Sequence, residues 1–128
     1  MGYVLGLVAV LLIICNTTLF FSRRLNKYVY GGHSVWLQKY SNFIRKPHMY
    51  LGATIFIVGL AHAYFMFGLF SPYTGLFVLT MVLIMALTAT FGKKFKITNW
   101  ISAHRIEAVV LIALVILHFL ITRSIIKF

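Results

Sequence analysis

Four long apolar stretches constrain this chain more than any other feature of its sequence. They cover about residues 2–21, 49–70, 72–91 and 101–121. Each is close to the ~20 residues that an α-helix needs to cross the ~30 Å hydrocarbon layer of a bilayer. Strands of a membrane barrel are shorter and alternate in polarity, so the stretches favour helices. We therefore expect an all-α membrane protein in which four transmembrane helices form a bundle.

The composition excludes a soluble fold of this size. Of the 128 residues, 62% are hydrophobic and only 10% are charged. A soluble domain could not bury so much apolar surface, so lipid must cover much of it. The length favours a single domain, residues 1–128. The first stretch lacks the basic start and the cleavage site of a signal peptide, so we expect a retained membrane helix.

The net charge of +11 could suggest a nucleic-acid partner, but the positions of the charges indicate membrane topology instead. Basic residues cluster between the first two stretches and again in residues 93–96, whereas the turn around Ser71 and Pro72 carries none. The positive-inside rule therefore predicts a multi-pass plasma-membrane protein with cytoplasmic basic loops and both termini outside. Such loops also favour contact with anionic membrane lipid. No nucleic-acid partner is expected.

Residues 22–47 are expected to form a cytoplasmic interfacial segment. Apolar and polar residues mix between Ser34 and Ile44, which predicts a short amphipathic helix with Trp36 at head-group depth. Farther along the chain, Gly92 is expected to end the third spanning helix. The only cysteine, Cys15, excludes an internal disulfide and is expected to be a small apolar residue.

Histidines stand at both ends of two of the spanning segments. His48 and His62 are fourteen residues apart, and so are His104 and His118. Because fourteen residues make nearly four helical turns, both histidines of one helix fall on one face, about 21 Å apart along the axis. The two helices are separated by one antiparallel helix and therefore run in the same direction. This topology predicts that His48 faces His104 and that His62 faces His118.

Two facing imidazole pairs suit two b-type haems, because imidazole is a standard axial ligand of haem iron. Small residues between the histidines of the second helix would let a flat ring approach its backbone. A zinc or copper transport site is the alternative, but carboxylate and thiolate ligands are missing from the set. The predicted site residues are His48, His62, His104 and His118 as axial iron ligands, with Gly52 and Gly59 as cofactor contacts.

Two other polar residues keep open roles. Glu107, the only acid in the chain, is one turn from His104. It is expected to form a local ion pair, to orient the imidazole or to carry a proton. His33 lies beside two glycines and is expected to be a solvent or interface residue. The chain contains no glycine-rich dinucleotide fingerprint, so it is not expected to accept a hydride.

The two histidine-bearing segments resemble the haem-binding helices of ferric reductase-like transmembrane proteins, which include NADPH oxidases and related bacterial di-haem cytochromes b. The segments read KPHMYLGATIFIVGLAH and NWISAHRIEAVVLIALVILH, and the resemblance covers about the last two-thirds of the chain. Family members carry two histidine pairs with this spacing on two helices that flank a third. They usually have six spans, and many have a flavin and nicotinamide domain. The resemblance therefore implies an electron-transfer subunit without a flavin and nicotinamide domain of its own.

These observations predict transmembrane electron transfer by a di-haem cytochrome b, from a cytoplasmic donor to an outer acceptor. The expected donor is a flavoprotein or iron–sulfur protein on a separate chain that docks on the basic loops. Two alternatives remain: a quinone-reactive haem subunit of a larger membrane oxidoreductase, and a non-redox membrane scaffold or metal carrier. The sequence leaves open the acceptor (a quinone or an extracellular compound), the direction of electron flow, homo-oligomer formation and whether the chain is itself an enzyme.

Overall fold

The computed structural model describes residues 1–67 and 74–125. These residues form five helices: α1 (Gly2–Tyr28), α2 (Val35–Arg45), α3 (His48–Phe67), α4 (Thr74–Lys94) and α5 (Trp100–Ile125). Four of them, α1, α3, α4 and α5, are long and apolar enough to cross a membrane. The short helix α2 lies in the connection between the first two spans.

The four spanning helices expose most of their apolar side chains. Leu7, Ile57 and Phe119, on three different helices, are 62%, 65% and 60% exposed. Water-soluble proteins rarely leave contiguous apolar surface of this extent uncovered, whereas lipid tails cover it without cost. The helix lengths and this surface together indicate a membrane protein, as the sequence predicts.

The helix contacts define a bundle in which α3 and α5 are diagonal partners. The helix α1 packs along α3, α4 packs along α5, α3 also contacts α4, and α1 touches α5. Among the described residues, no Cα atom of α3 lies within 8 Å of one in α5, and the same holds for α1 and α4. The order around the bundle is therefore α1, α3, α4, α5. The two histidine-bearing helices face each other across the bundle axis without backbone contact.

A small apolar layer packs at the centre of the bundle. It consists of one buried residue from each spanning helix: Ile13, Ile55, Val82 and Leu111. Ile55 lies midway between the two histidines of α3, and Leu111 lies midway between those of α5. The layer therefore divides the bundle into a loop-side level, which contains His48 and His104, and a terminal-side level, which contains His62 and His118.

The helix α2 folds back along the last turns of α1. Gly31 and Gly32 turn the chain with φ angles of 57° and 85°, which glycine adopts without a steric penalty. Ser34 is the N-cap of α2, and its backbone N–H donates to Asn26 Oδ1 of α1 at 3.0 Å. The Ser34 hydroxyl also accepts from the Leu37 N–H at 3.4 Å, as an N-cap does. The result is a helical hairpin at the loop side of the bundle.

Side chains fasten this hairpin. The buried hydroxyls of Ser22 and Ser41 lie 3.0 Å apart, and Tyr40 donates to Thr18 Oγ1 at 2.9 Å. The predicted helix between Ser34 and Ile44 is thus present and amphipathic. It buries Leu37 and Ile44 and exposes Trp36 and Phe43.

Two of the spanning helices continue by several residues beyond the apolar stretches that hydropathy predicts. The helix α1 continues to Tyr28, beyond the apolar stretch that ends near residue 21, and α5 continues to Ile125. Most of the residues added to α1 are polar or basic, among them Ser22, Arg24 and Asn26, and the helix continues through them. Hydropathy therefore locates the apolar part of each helix, whereas helix propensity and tertiary packing decide where the helix ends.

The expectation that Gly92 ends the third span is wrong. The helix α4 continues to Lys94, and the chain turns at Lys96, whose φ is 53°. Gly92 is instead buried against Trp100, whose side chain occupies the space that a Cβ at residue 92 would need. The glycine serves close packing between α4 and α5. The predicted turn at Ser71 and Pro72 lies outside the described residues.

Candidate functional site

The structure brings the four histidines together in the two predicted pairs. The ring centres of His48 and His104 are 6.2 Å apart, and those of His62 and His118 are 6.5 Å apart. The ring planes are nearly perpendicular at both levels, at 79° and 85°. Each pair joins α3 to α5 across the bundle axis.

His62 is positioned by the first helix. Its Nδ1 lies 2.8 Å from the backbone carbonyl oxygen of Gly2. A carbonyl can only accept, so Nδ1 carries the proton and Nε2 keeps its lone pair when the ring is neutral. Gly6 lies against the same ring, because a Cβ built there would be 2.8 Å from His62 Cε1. The helix α1 thus sets both the tautomer and the position of the imidazole.

His118 has an equivalent support on the fourth helix. Its Nδ1 lies 2.7 Å from the Thr74 hydroxyl, and a Cβ built at Gly75 would be 3.3 Å from His118 Cε1. The hydroxyl can donate or accept, and it can therefore receive a proton from Nδ1 when Nε2 binds a metal. At the terminal-side level, each imidazole has one hydrogen bond and one neighbouring glycine.

His104 is held more loosely. Its Nδ1 donates to the backbone carbonyl of Met85 at 3.2 Å, and Glu107 Oε2 lies 3.9 Å from the same nitrogen. The other carboxylate oxygen accepts from the Thr88 hydroxyl at 2.7 Å. Trp100 packs beside His104, with ring centres 6.5 Å apart. The Glu107 carboxylate therefore lies beside His104, where it could orient the imidazole, and it is hydrogen-bonded to α4 through Thr88.

His48 has the least support of the four. Its Nδ1 is buried without a hydrogen-bond partner, although the backbone of Asn16 lies nearby. Two other buried oxygens without partners, Asn16 Oδ1 and Glu107 Oε2, belong to the same end of the bundle. Arg23 is close enough for its positive charge to act on the His48 ring. The loop-side level therefore combines unsatisfied polar atoms with charges of both signs.

The distances between the rings fit one shared metal atom at each level. Two imidazoles that bind one metal from opposite sides, each with a metal–nitrogen bond of about 2.0 Å, have ring centres roughly 6 Å apart. Hydrogen bonds occupy Nδ1 of His62, His104 and His118, which leaves Nε2 as the nitrogen available to a metal. Where the structure describes the chain, no three His, Cys, Asp or Glu side chains group as ligands of a bare metal ion.

The two glycines predicted to contact the cofactor differ in their surroundings. A Cβ built at Gly52 would meet no atom within 4 Å, so the space beside it is open. A Cβ at Gly59 would lie 3.2 Å from Leu79 Cδ1, so α4 already fills that space. Their roles as cofactor contacts remain predictions, and the open space favours Gly52. His33, as expected, is exposed in the turn before α2 and belongs to neither pair.

Sequence reasoning missed the groups that support the imidazoles. Thr74, Gly6 and Gly75 are small or hydroxylated residues in apolar helices, a signal that the sequence does contain. The carbonyls of Gly2 and Met85 leave no such signal, because a backbone acceptor is set by helix packing and not by residue type.

Comparison with known proteins adds no assignment: no family model matches the chain, and no curated protein or solved structure is detectably similar to it. The resemblance to ferric reductase-like proteins therefore remains a prediction.

Proposed function

We propose that this protein is a di-haem cytochrome b that transfers electrons across a membrane. The observation that carries the proposal is the repeated geometry of the two histidine pairs. At each level one imidazole from α3 faces one from α5, with ring centres 6.2 and 6.5 Å apart. Two haems held by these pairs would each supply an iron that cycles between its ferric and ferrous forms and so carries one electron.

The residues of the chain would bind and orient these groups. His48 and His104 would hold one haem, and His62 and His118 the other. Two protein ligands for each iron would leave no open coordination position, so binding of small molecules to the metal is disfavoured. The central apolar layer would exclude water between the two levels, and the open space beside Gly52 would admit a ring edge.

Charge placement supports an orientation for the transfer. Most of the basic residues flank the loop-side level, so by the positive-inside rule that level would lie toward the cytoplasm, with both termini outside the cell. A flavoprotein or iron–sulfur protein with an acidic surface would dock on these loops and supply electrons. The terminal-side level would then deliver them to an acceptor outside.

A quinone-reactive haem subunit is the second candidate, and one cavity favours it. This mainly apolar cavity of about 400 Å³ lies between the loop-side ends of α4 and α5. Trp100, which packs beside His104, lines it, and so do Phe91 and Thr88. A cavity with aromatic walls and the side-chain amide of Asn99, beside a candidate iron ligand, suits the head group of a quinone. Quinol would then be the electron donor at this level.

The third alternative, a metal carrier or non-redox scaffold, has weaker support. Zinc sites usually have four ligands, and catalytic zinc sites keep three protein ligands. Each pair here supplies two imidazoles that face each other, which suits a metal whose other four positions are filled by a porphyrin. A protein purified after expression with ample haem but without a Soret band would favour this alternative.

The test is a haem count on the full chain, expressed with ample haem and purified in detergent. We expect two haems for each chain and a b-type reduced-minus-oxidised spectrum. The nearly perpendicular imidazoles also predict a strongly anisotropic low-spin ferric EPR signal. His62→Ala should lower the count to one, and His33→Ala, the matched control, should leave two. Retention of both haems in His62→Ala would overturn the ligand assignment.

A second measurement separates the two electron donors. Purified holoprotein is mixed anaerobically with a reduced short-chain quinol or with a reduced flavoprotein, and haem reduction is followed by absorbance. Reduction by quinol that Trp100→Ala slows, with no reduction by the flavoprotein, would identify the quinone-reactive function. The opposite pattern would favour the soluble donor.

A further inference from the structure

A second cavity lies outside the histidine levels, in the α1–α2 hairpin. It has a volume of about 360 Å³, which is within the range of small-molecule sites. Polar side chains and one glycine line it, from the last turns of α1, the turn and the middle of α2. They are Arg23, Asn26, Lys27, Gly32, Gln38, Ser41 and Asn42.

The charges that line this cavity have no acidic counterpart. Arg23 and Lys27 are one helical turn apart on α1, so both side chains lie on the same side of the helix. The only acid in the whole sequence is Glu107, which lies inside the bundle beside His104 and hydrogen-bonds Thr88. A polar cavity with two cations and no carboxylate attracts an anion.

The walls of the cavity are held in place by hydrogen bonds. Gln38 Nε2 donates to the Gly32 carbonyl at 2.6 Å, and Asn26 Oδ1 accepts from the Ser34 backbone at 3.0 Å. Ser41 is buried and shares a 3.0 Å hydrogen bond with Ser22. An anion that enters therefore meets donors that are already arranged, which reduces the ordering cost of binding.

The position of the cavity along α1 indicates head-group depth. Arg23 is the second residue after the apolar stretch that ends near Phe21. Tyr28 and Trp36 of the same hairpin are exposed, at 66% and 70%. Exposed aromatic side chains beside basic ones are typical of the interface between a bilayer and water. Basic pockets at this depth bind the head groups of anionic lipids.

We propose that the α1–α2 cavity binds the phosphate group of an anionic phospholipid. Arg23 and Lys27 neutralise the phosphate, and the side-chain amides of Asn26, Gln38 and Asn42 donate hydrogen bonds to its oxygens. The acyl chains extend from the hairpin into the bilayer, along the apolar part of α1. This site does not depend on haem binding and would exist in a protein of any function.

The experiment compares two double variants that lose the same charge. Arg23→Gln/Lys27→Gln removes the cations of the cavity, whereas Arg24→Gln/Lys39→Gln removes one arginine and one lysine elsewhere on the hairpin. The full-length proteins are delipidated in detergent, and native mass spectrometry measures the binding of phosphatidylglycerol and of zwitterionic phosphatidylcholine. We expect the cavity variant to lose affinity for phosphatidylglycerol by about tenfold or more, since charge-assisted hydrogen bonds are lost.

One further variant tests the cavity without removing its cations, and two soluble competitors test whether the bound phosphate belongs to a lipid. Asn42→Asp places a negative charge at the exposed rim of the cavity and should weaken phosphatidylglycerol binding in a folded protein. Inorganic phosphate and glycerol 3-phosphate are added as soluble competitors. Displacement of the lipid by either at equal affinity would assign the cavity to a soluble phosphate compound and overturn the lipid proposal. Equal losses in the two double variants, or equal binding of phosphatidylcholine, would also overturn it.

Discussion

The two histidine levels share one ring geometry but differ in what surrounds the rings. At the terminal-side level, both imidazoles have short Nδ1 contacts, to Gly2 at 2.8 Å and to Thr74 at 2.7 Å. At the loop-side level, His104 has a longer one, at 3.2 Å, and His48 has none. The loop-side level also has charged side chains near its rings, namely Glu107 beside His104 and Arg23 on the side of His48.

For two haems held as proposed, this difference would give two ways to tune the reduction potential of the bound iron. A hydrogen bond at Nδ1 fixes the ring and raises the basicity of the ligand, which favours the ferric form of a bound iron. A nearby charge acts through space and shifts the equilibrium toward the form that it stabilises. The terminal-side level would rely on neutral hydrogen bonds, and the loop-side level on the opposite charges of Glu107 and Arg23. Substitutions can therefore change one level and leave the other as an internal reference.

The largest effect should come from Gly6→Leu. A Cβ at this position would already be 2.8 Å from His62 Cε1, and a leucine would displace the ring from its hydrogen bond to Gly2. We expect loss of the terminal-side haem, so the pyridine haemochrome assay should give about one haem per chain. The remaining haem should keep its midpoint potential. Two haems with unchanged potentials would show that α1 does not position this imidazole.

Thr74→Val should have a smaller effect at the same level. The substitution keeps the size of the side chain but removes the hydrogen bond to His118 Nδ1. Loss of such a partner typically weakens metal binding by roughly tenfold to a hundredfold, so haem transfer to apomyoglobin should be faster from this level. The control is Thr54→Val, because Thr54 is exposed and bonds only to the Tyr50 carbonyl of its own helix. Equal transfer rates in both variants would contradict the role of Thr74.

Periodicity and hydropathy were sufficient to predict the part of this architecture that depends on residue spacing. The fourteen-residue spacing predicts that His48 faces His104 and that His62 faces His118. Two parallel helices with the same spacing between their histidines place both pairs at matching heights. The amphipathic α2 also follows from its pattern. Packing between distant segments could not be predicted in this way.

Two details illustrate that limit. Gly92 has the residue type that often ends a helix, yet it serves close contact with Trp100, and Lys96 makes the turn with a positive φ. Met85 accepts from His104 through its backbone, so its side chain gave no signal. Which helix supplies the acceptor for each imidazole depends on the order α1, α3, α4, α5 around the bundle, and one sequence does not encode that order in any local pattern.

Glu107→Gln should change only the loop-side level, by less than the loss of a ligand. The carboxylate lies 3.9 Å from His104 Nδ1 and would stabilise the more positive, ferric form of an iron bound there. Removal of its charge should raise the midpoint potential of that haem, by on the order of 50 mV. Spectroelectrochemical titration in detergent measures both potentials at once. An equal shift at the terminal-side haem would mean that the two levels are not electrostatically separate.

Arg23→Gln should produce the smallest shift, with the opposite sign. The guanidinium acts on His48 but is exposed to solvent, so water and ions screen its charge more than that of Glu107. Its loss removes a positive charge that favours the reduced haem, and the loop-side potential should fall by about 20 mV. The shift should shrink further in high salt, whereas the Glu107→Gln shift should persist, because buried charges are screened less.

Arg24→Gln is the matched control for Arg23→Gln. Arg24 is one residue farther along α1, and its guanidinium stacks on Phe20 and Tyr28. A fall of the same size in that variant would mean that the loop-side level responds to the total charge of the hairpin, and not to Arg23 in particular.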